Sequence, residues 1–222
     1  MTALTRPLAY GPVEYPDSDR RILGETDRHH AELMDLVFRL KGRYRDDPGV
    51  YVTGRMFVYY EEGDPRKVFS PDVMVVFGVP KHERRVYLLW EERQAPAVVF
   101  ELSSRATWRE DLVSKKALCA RLGVEEYYLC DPAYEHLRPA LQGFRLDDGT
   151  YVPLLPDEDG RLHSARLGLA LSLEDGQIRM TDLVTGERLP GTAEMWARLA
   201  AAEQASARQR VELERGESSG EG

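Results

Sequence analysis

The chain has 222 residues, of which 42% are hydrophobic and 31% charged, and its formal net charge is −8. This length predicts a single domain with room for an appendage, and the composition is typical of a globular protein with a charged surface. No apolar run approaches ~20 residues, which excludes a membrane-spanning helix, and two cysteines without further ligands at fixed spacing exclude a structural zinc site.

The chain divides into three predicted segments. Residues 1–24 contain three prolines and predict an irregular N-terminal arm without an apolar leader, so we expect a cytoplasmic protein. Residues 25–190 form the predicted domain. Residues 191–222 predict a helix from about Ala193 to Arg215, followed by a disordered tail.

The domain begins with a predicted helix. Thr26 or Asp27 can cap its N terminus, and the pattern continues to about Arg45. The apolar stripe of this helix consists of Leu33, Leu36, Val37 and Leu40. The helix therefore packs one face against a core.

Three strands are predicted next. Residues 51–60 predict one strand and residues 61–65 a turn. Residues 73–77 are all apolar, which predicts a strand buried on both faces. This strand follows the dipeptide Pro71-Asp72, and residues 86–90 predict a further short strand.

The next strand contains a carboxylate where packing alone would place an apolar side chain. Five of the six residues 97–102 are apolar, and the sixth is Glu101. A carboxylate inside a strand that is buried on both faces is costly unless it meets a cation or a metal. Residues 103–107 form a polar loop behind it.

The helix predicted after this loop contains a lysine on its inner face. It runs from about Trp108 to Leu122, and Gly123 is a plausible left-handed stop. On a helical wheel Lys115 lies near the centre of the apolar face, with Asp111 one turn earlier. A buried ammonium needs a carboxylate partner, and Glu101 and Asp111 are both candidates. The apolar face consists of Trp108, Leu112, Leu118, Cys119 and Leu122.

The remaining elements complete an α/β fold. Residues 125–130 predict a strand of the central sheet, and several short segments predict small antiparallel strands. These segments are residues 141–146, 151–154, 161–163 and 167–173, with a turn at 182–186. The prediction is a mixed central sheet flanked by helices, with extra small antiparallel strands and a C-terminal helical tail.

Two acids and one lysine form the candidate site. Asp72 opens one predicted central strand and Glu101 closes another, so antiparallel neighbours would bring both carboxylates to one end of the sheet. Two carboxylates that leave room for water and phosphate oxygens describe a magnesium site. A metal there would lower the pKa of bound water, and Lys115 would orient that water or stabilise charge on a phosphate.

The pattern PD…ELSSRAT…D…K…LGVEEYYLCDP resembles the Uma-type restriction endonuclease family, a branch of the PD-(D/E)XK nuclease superfamily. The resemblance covers roughly Thr26 to Leu173. It implies a restriction-endonuclease-like fold and a DNA endonuclease that uses Mg²⁺, or Mn²⁺ in its place. It also implies that Asp72 and Glu101 are metal ligands, that Lys115 is the catalytic cation and that Asp111 orients this lysine.

The sequence departs from the superfamily at two places. The lysine that usually follows the second acid by two residues is replaced by Ser103, and the family that the chain resembles carries it on the helix, as Lys115 does. Ser104 and Thr107 match that family's Ser-Pro-Ser-Thr loop, whereas Arg105-Ala106 does not.

Further candidates surround this core. Ser104, Arg105, Thr107, Arg109 and Lys116 are candidates for binding a phosphate backbone, because residues 105–121 contain five basic side chains against two acidic ones. Their charges could equally form a solvated face.

The first helix also contains residue types that can bind metals. Glu32 is a candidate auxiliary ligand. The pair His29-His30 is interpreted as surface histidines, which is the default on a helix.

Two alternatives remain for the function. The chain could be a catalytically inactive nuclease-fold module that binds DNA or another protein, which the net charge of −8 favours slightly. It could also act mainly in assembly, as a homodimer joined by the terminal helix, although the apolar repeat of that helix is short.

Overall fold

The computed structural model describes residues 13–16 and 26–218, with side chains up to residue 210. Most of the predicted arm therefore lies outside the described residues. Its described part, residues 13–16, has no regular secondary structure. The Tyr59 hydroxyl donates to the Pro16 carbonyl oxygen at 2.6 Å, and the Tyr15 ring meets the Tyr59 ring edge-on at 5.0 Å between centroids. This segment thus packs on the body of the domain.

The helices follow the predicted order. They are α1 (Asp27–Arg43), α2 (Leu89–Glu92), α3 (Trp108–Glu110), α4 (Lys116–Arg121) and α5 (Thr192–Ser218), and a π-helical turn (Asp111–Lys115) joins α3 to α4. We call residues 108–121 the lysine helix. Within the described residues, no helix is both long enough and apolar enough to cross a membrane.

The strands form one large and two small sheets. Their bounds are β1 (Val50–Gly54), β2 (Val58–Tyr59), β3 (Val68–Phe69), β4 (Val73–Phe77), β5 (Tyr87–Leu88), β6 (Val98–Leu102), β7 (Glu126–Cys130), β8 (Leu141–Asp147), β9 (Thr150–Pro153), β10 (Leu162–Ser164), β11 (Leu169–Glu174) and β12 (Gln177–Asp182). The large sheet has the order β1-β4-β6-β7-β8-β9, and the small sheets have the orders β10-β11-β12 and β3-β2-β5.

The central sheet is mixed, which confirms the predicted fold class. Strands β6 and β7 are parallel, whereas β1, β4 and β6 are successively antiparallel. The lysine helix is the crossover between the parallel pair, as parallel pairing requires. In the register of β4 and β6, Val73 pairs with Phe100, so Asp72 and Glu101 lie side by side.

The sheet separates two apolar layers. One contains the α1 stripe Leu33, Leu36 and Leu40, packed against β4 and β6 and the β10-β11-β12 sheet. The other contains Cys119 of the lysine helix and Tyr127 of β7. Alternate residues of each central strand point into opposite layers, which is why these strands are apolar without alternation.

Several predicted elements differ from the structure. The single strand predicted over residues 51–60 is wrong: β1 and β2 belong to different sheets. The chain turns at Arg55, whose φ is 51° and whose backbone N–H donates to the carbonyl oxygens of Pro71 and Asp72, both at 3.1 Å. Strand β5 is shorter than predicted because the chain continues into α2, and β12 was not predicted.

The C-terminal helix is longer than predicted. It continues to Ser218, three residues into the stretch that was expected to be disordered, and residues 219–222 lie outside the described residues. Its N terminus is held by α1, since Asp35 Oδ1 accepts hydrogen bonds from the Thr192 backbone N–H at 3.0 Å and from the Thr192 hydroxyl at 2.5 Å.

Candidate active site

The two predicted acids converge at one end of the central sheet. Asp72 precedes β4 and Glu101 lies in β6, in the antiparallel pair that places them side by side. The Asp72 backbone N–H points to Glu101 Oε2 at 3.4 Å, and Asp72 Oδ2 accepts from the Leu102 backbone N–H at 2.8 Å. The hydrogen bond from Leu102 fixes the Asp72 side chain to β6, the strand that contains Glu101.

Glu101 is fully buried, with 0% of its residue surface exposed. Its Oε2 accepts from Lys115 Nζ at 2.8 Å, whereas its Oε1 has no hydrogen-bond partner among the described residues. Burial, and after it repulsion by Asp72 and Asp111, raises the pKa of Glu101 well above its ordinary value despite the attraction of Lys115. A buried oxygen without a donor favours a cation as a further partner.

Lys115 joins the two acids that the helical wheel proposed as its partners. Its Nζ lies 2.8 Å from Glu101 Oε2 and 3.1 Å from Asp111 Oδ1. Burial alone would lower the pKa of Lys115, but attraction to Glu101 and Asp111 outweighs it and raises that pKa above its ordinary value. The lysine is therefore an ammonium at neutral pH, and it touches both carboxylates.

Asp111 opens the π-helical turn and is 1% exposed. Burial raises the pKa of its carboxyl group, against the attraction of Lys115. The Ser103 hydroxyl reaches Asp111 Oδ2 at 3.4 Å, and the Tyr127 hydroxyl donates to the Asp111 carbonyl oxygen at 2.7 Å. The helix turn that carries Lys115 is thus fastened to both β6 and β7.

The loop between β6 and the lysine helix is closed by its two family-like residues. The Ser104 backbone N–H donates to Thr107 Oγ1 at 3.1 Å, and the two hydroxyl oxygens lie 3.2 Å apart. Arg105 is exposed at the tip of this loop. The role of these residues in binding a substrate stays a prediction.

The two other basic candidates rest on aromatic rings. The Arg109 guanidinium lies 4.9 Å from the centroid of the Trp108 ring, and Lys116 Nζ lies 3.6 Å from the centroid of the Phe144 ring. Burial lowers the pKa of Lys116. The wheel correctly separated the adjacent lysines, since Lys115 alone meets the acids.

Glu32 is buried on α1 and is hydrogen-bonded to the β10-β11-β12 sheet. Its Oε1 accepts from the Ile178 backbone N–H of β12 at 2.6 Å. Burial raises the pKa of Glu32 to about 7. Its predicted role as an auxiliary ligand stays a prediction, and the structure gives it a docking role between α1 and β12.

Two residues at the site were not assigned to it from the sequence. His29 Nε2 lies 3.7 Å from Asp72 Oδ2, and Arg55 Nε lies 3.9 Å from Asp72 Oδ1. His29 is 7% exposed, so interpreting it as a surface residue was wrong, whereas His30 is exposed. The spacing of four residues between His29 and the buried Leu33 was the available signal. Arg55 had none.

The donor set fits a small divalent cation held by two carboxylates. Glu101 and Asp111 contact the Lys115 ammonium, Asp72 lies beside Glu101, and Glu101 Oε1 lacks a donor within the described part of the chain. In that part no group of three or more His, Cys, Asp or Glu side chains is arranged to hold a metal ion. Mg²⁺ commonly binds through one or two carboxylates and completes its shell with water and substrate phosphates, so the pair Asp72 and Glu101 suffices.

Comparisons with known proteins agree with this architecture. The model of the Uma2 family, described as "Putative restriction endonuclease", matches residues 13–180. A crystal structure described as a "putative nuclease belonging to DUF820", from Anabaena variabilis, shares the fold with a TM-score of 0.52 and 16% sequence identity, over 68% of this chain and 81% of that chain. No curated protein matches the sequence.

Proposed function

Because the chain belongs to the Uma2 restriction endonuclease family, we propose that it hydrolyses phosphodiester bonds of DNA with Mg²⁺ as cofactor. The observation that carries this proposal is the convergence of Asp72, Glu101 and Lys115 from three separate segments, with Lys115 Nζ 2.8 Å from Glu101. Asp72 and Glu101 would hold the metal, which Mn²⁺ could replace. When bound, the metal polarises the phosphorus–oxygen bond and lowers the pKa of a coordinated water.

Lys115 and Asp111 have different roles in the proposed reaction. In hydrolysis a water oxygen bonds to phosphorus while the water loses a proton to solvent, the bond from phosphorus to the leaving sugar oxygen breaks, and that oxygen gains a proton from solvent. Lys115 contacts Glu101 and Asp111 as an ammonium, which is a donor. It stabilises the negative charge that develops on the phosphate. Asp111 holds this ammonium in place as a positioning residue.

The proposal is tested with isosteric substitutions. Asp72→Asn and Glu101→Gln keep the shape of each side chain and remove one negative charge. Both should abolish cleavage of plasmid DNA in Mg²⁺ or Mn²⁺ and leave the circular dichroism spectrum unchanged. Glu110→Gln is the control, because Glu110 is an exposed carboxylate on the helix that carries Lys115. Cleavage by either site variant at the wild-type rate would refute the assignment.

A second candidate is a nuclease-fold module that binds DNA without cutting it. It is favoured by the net charge of −8 and by Arg105-Ala106, where the loop departs from the family pattern. Calorimetry separates the two functions. A hydrolase should bind Mg²⁺ or Mn²⁺ and lose this binding in Glu101→Gln, whereas a non-cleaving module should show no binding in either protein.

A further inference from the structure

A cavity of about 600 Å³ lies along the open edge of the central sheet. Strand β1 is the first strand of that sheet, and its residues 50–53 form one wall. The opposite side consists of the end of α1 and the loop before β5. The cavity is therefore a groove beside an edge strand.

The groove is basic although the chain is acidic. Its lining contains four permanently cationic side chains and a single carboxylate, on a chain whose net charge is −8. Arg84 is paired with Glu92 at 2.6 Å, and Lys81 Nζ is held by the carbonyl oxygens at the end of α1. The other two, Lys41 and Arg45, are exposed, and Arg45 Nε lies 3.3 Å from Oδ1 of the neighbouring, equally exposed Asp46. An anion is the ligand that this lining attracts.

One end of the groove lies near the candidate active site. In the β1–β4 register Gly54 pairs with Val73, the residue that follows Asp72. Thr53 and Met56 line the groove and flank Arg55, whose Nε is 3.9 Å from Asp72 Oδ1. Arg55 is not part of the groove lining, but it directly follows the lining strand β1, and its guanidinium lies beside Asp72.

The backbone holds Arg55 in a conformation that side chains rarely adopt. Its φ is 51°, and its N–H is shared between two carbonyl oxygens of the Asp72 segment. A positive φ costs a non-glycine residue about 1 kcal/mol or more, and such strain is concentrated at functional sites. Arg93 has a similar φ, 55°, so it is the guanidinium beside Asp72, and not the strain, that distinguishes Arg55.

We propose that this groove holds the DNA strand on one side of the scissile bond, and that Arg55 binds the phosphate nearest to Asp72. The proposal rests on the proposed function and adds the path of its substrate. From Val50 to Gly54 the strand spans about 14 Å, which corresponds to about four nucleotide steps of a DNA strand. Arg55, Lys41 and Arg45 supply the cations along this path.

Salt-dependent binding of DNA tests the groove without requiring cleavage. The double variant Lys41→Gln/Arg45→Gln is compared with Arg198→Gln/Arg208→Gln, which removes the same charge from exposed positions of α5. Binding of a labelled duplex is measured in EDTA from about 50 to about 200 mM salt. Losing two phosphate contacts should lower the log–log salt slope by about 1.8 and the affinity about 60-fold at 0.1 M salt. The α5 variant should keep the wild-type slope.

Arg55 is tested by separating its charge from its backbone. Arg55→Gln removes the charge, and Arg55→Gly removes both the charge and the strain. Both should reduce kcat/KM about 10- to 150-fold through KM, the equivalent of one charged hydrogen bond. Arg93 is the matched control, because it is also an exposed arginine with positive φ, 55°, and Arg93→Gly should leave kcat/KM unchanged. Full activity of Arg55→Gly would overturn the role of the guanidinium.

The outcomes distinguish this inference from the proposed function. Wild-type affinity and slope in the groove variant would overturn the inference even if the enzyme cuts DNA. A reduced slope without cleavage in any metal would support the inference and refute the hydrolase. Competition by a polyglutamate peptide as strong as that by the duplex would assign the groove to an acidic protein, and would also overturn it.

Discussion

Replacing Lys115 by Met tests how much its ammonium group contributes to the stability of the candidate site. The substitution keeps an unbranched side chain of similar length but removes the charge that contacts Glu101 at 2.8 Å and Asp111 at 3.1 Å. Both carboxylates are buried, with 0% and 1% of their surface exposed, so neither can recover its lost partner from solvent. The variant leaves buried negative charge uncompensated.

The size of the effect follows from that burial. Removing one partner of a buried ion pair costs about 3–5 kcal/mol, which lowers the melting temperature by roughly 6–20 °C in a chain of this length. Lys116→Met is the internal control. Lys116 lies on the same helix but contacts the Phe144 ring, a cation–π contact worth about 1 kcal/mol.

The destabilisation should depend on pH with a definite sign. Burial raises the pKa of both Glu101 and Asp111, and replacing Lys115 removes the largest influence that opposes this shift in each. A carboxyl group with a raised pKa in the folded state favours folding at low pH, where it is protonated, and loses this contribution as pH rises through the folded pKa. The deficit of Lys115→Met in urea unfolding should therefore be largest above neutral pH and shrink towards pH 4.5. Equal deficits for the two lysine variants, or a deficit independent of pH, would refute the buried-pair argument.

Two further predictions concern the fold around the site. Burial raises the pKa of Glu32 from 4.5 to about 7, so wild-type stability should fall by about 3 kcal/mol between pH 4.5 and pH 8 from this group; Glu32→Gln should remove that part of the decline in urea titrations, and an unchanged pH profile would contradict it. A Cβ on Gly176, whose φ is +77°, would lie 2.4 Å from the Pro132 carbonyl oxygen. Gly176→Ala should cost about 2–4 kcal/mol, against about 1 kcal/mol for Gly63→Ala, which has φ +85° and nothing within 4 Å; equal melting temperatures would contradict the steric reasoning.

The convergence of Asp72, Glu101 and Lys115 could be predicted, chiefly because two of the three break a local pattern. Glu101 interrupts an apolar strand and Lys115 interrupts an apolar helix face, so each required a partner, and the structure pairs them. Asp72 was singled out by the strand order and by the family resemblance, since a Pro-Asp dipeptide alone is a common turn. The antiparallel register of β4 and β6 then fixed its position beside Glu101.

The residues that were missed depend on information that a periodic pattern does not contain. Arg55 reaches Asp72 because its φ is positive, and this divides the apolar run of residues 51–60 between two sheets. Strand β12 is recognisable only from its pairing with β11. His29 shares the inner face of α1 with Leu33, so the helical period could have placed it, but the adjacent His30 made a solvated pair the simpler interpretation.

In this chain the lysine lies on a helix, whereas in most of the superfamily it lies on the strand of the second acid. The two locations need different contacts to position the ammonium. A lysine at the position of Ser103 would point to the same face as Glu101, because alternate residues of a strand share a face, and the strand alone would position its ammonium. On the helix, the ammonium lies correctly only if the helix is docked at a fixed height over the sheet. The Tyr127 hydroxyl supplies one fixed point at the π-helical turn, 2.7 Å from the Asp111 carbonyl oxygen. The fully buried Cys119, about two turns further along, supplies a second. The geometry of this site is therefore a property of the packing between β7 and the lysine helix, so that substitutions in that layer should alter catalysis without touching a substrate.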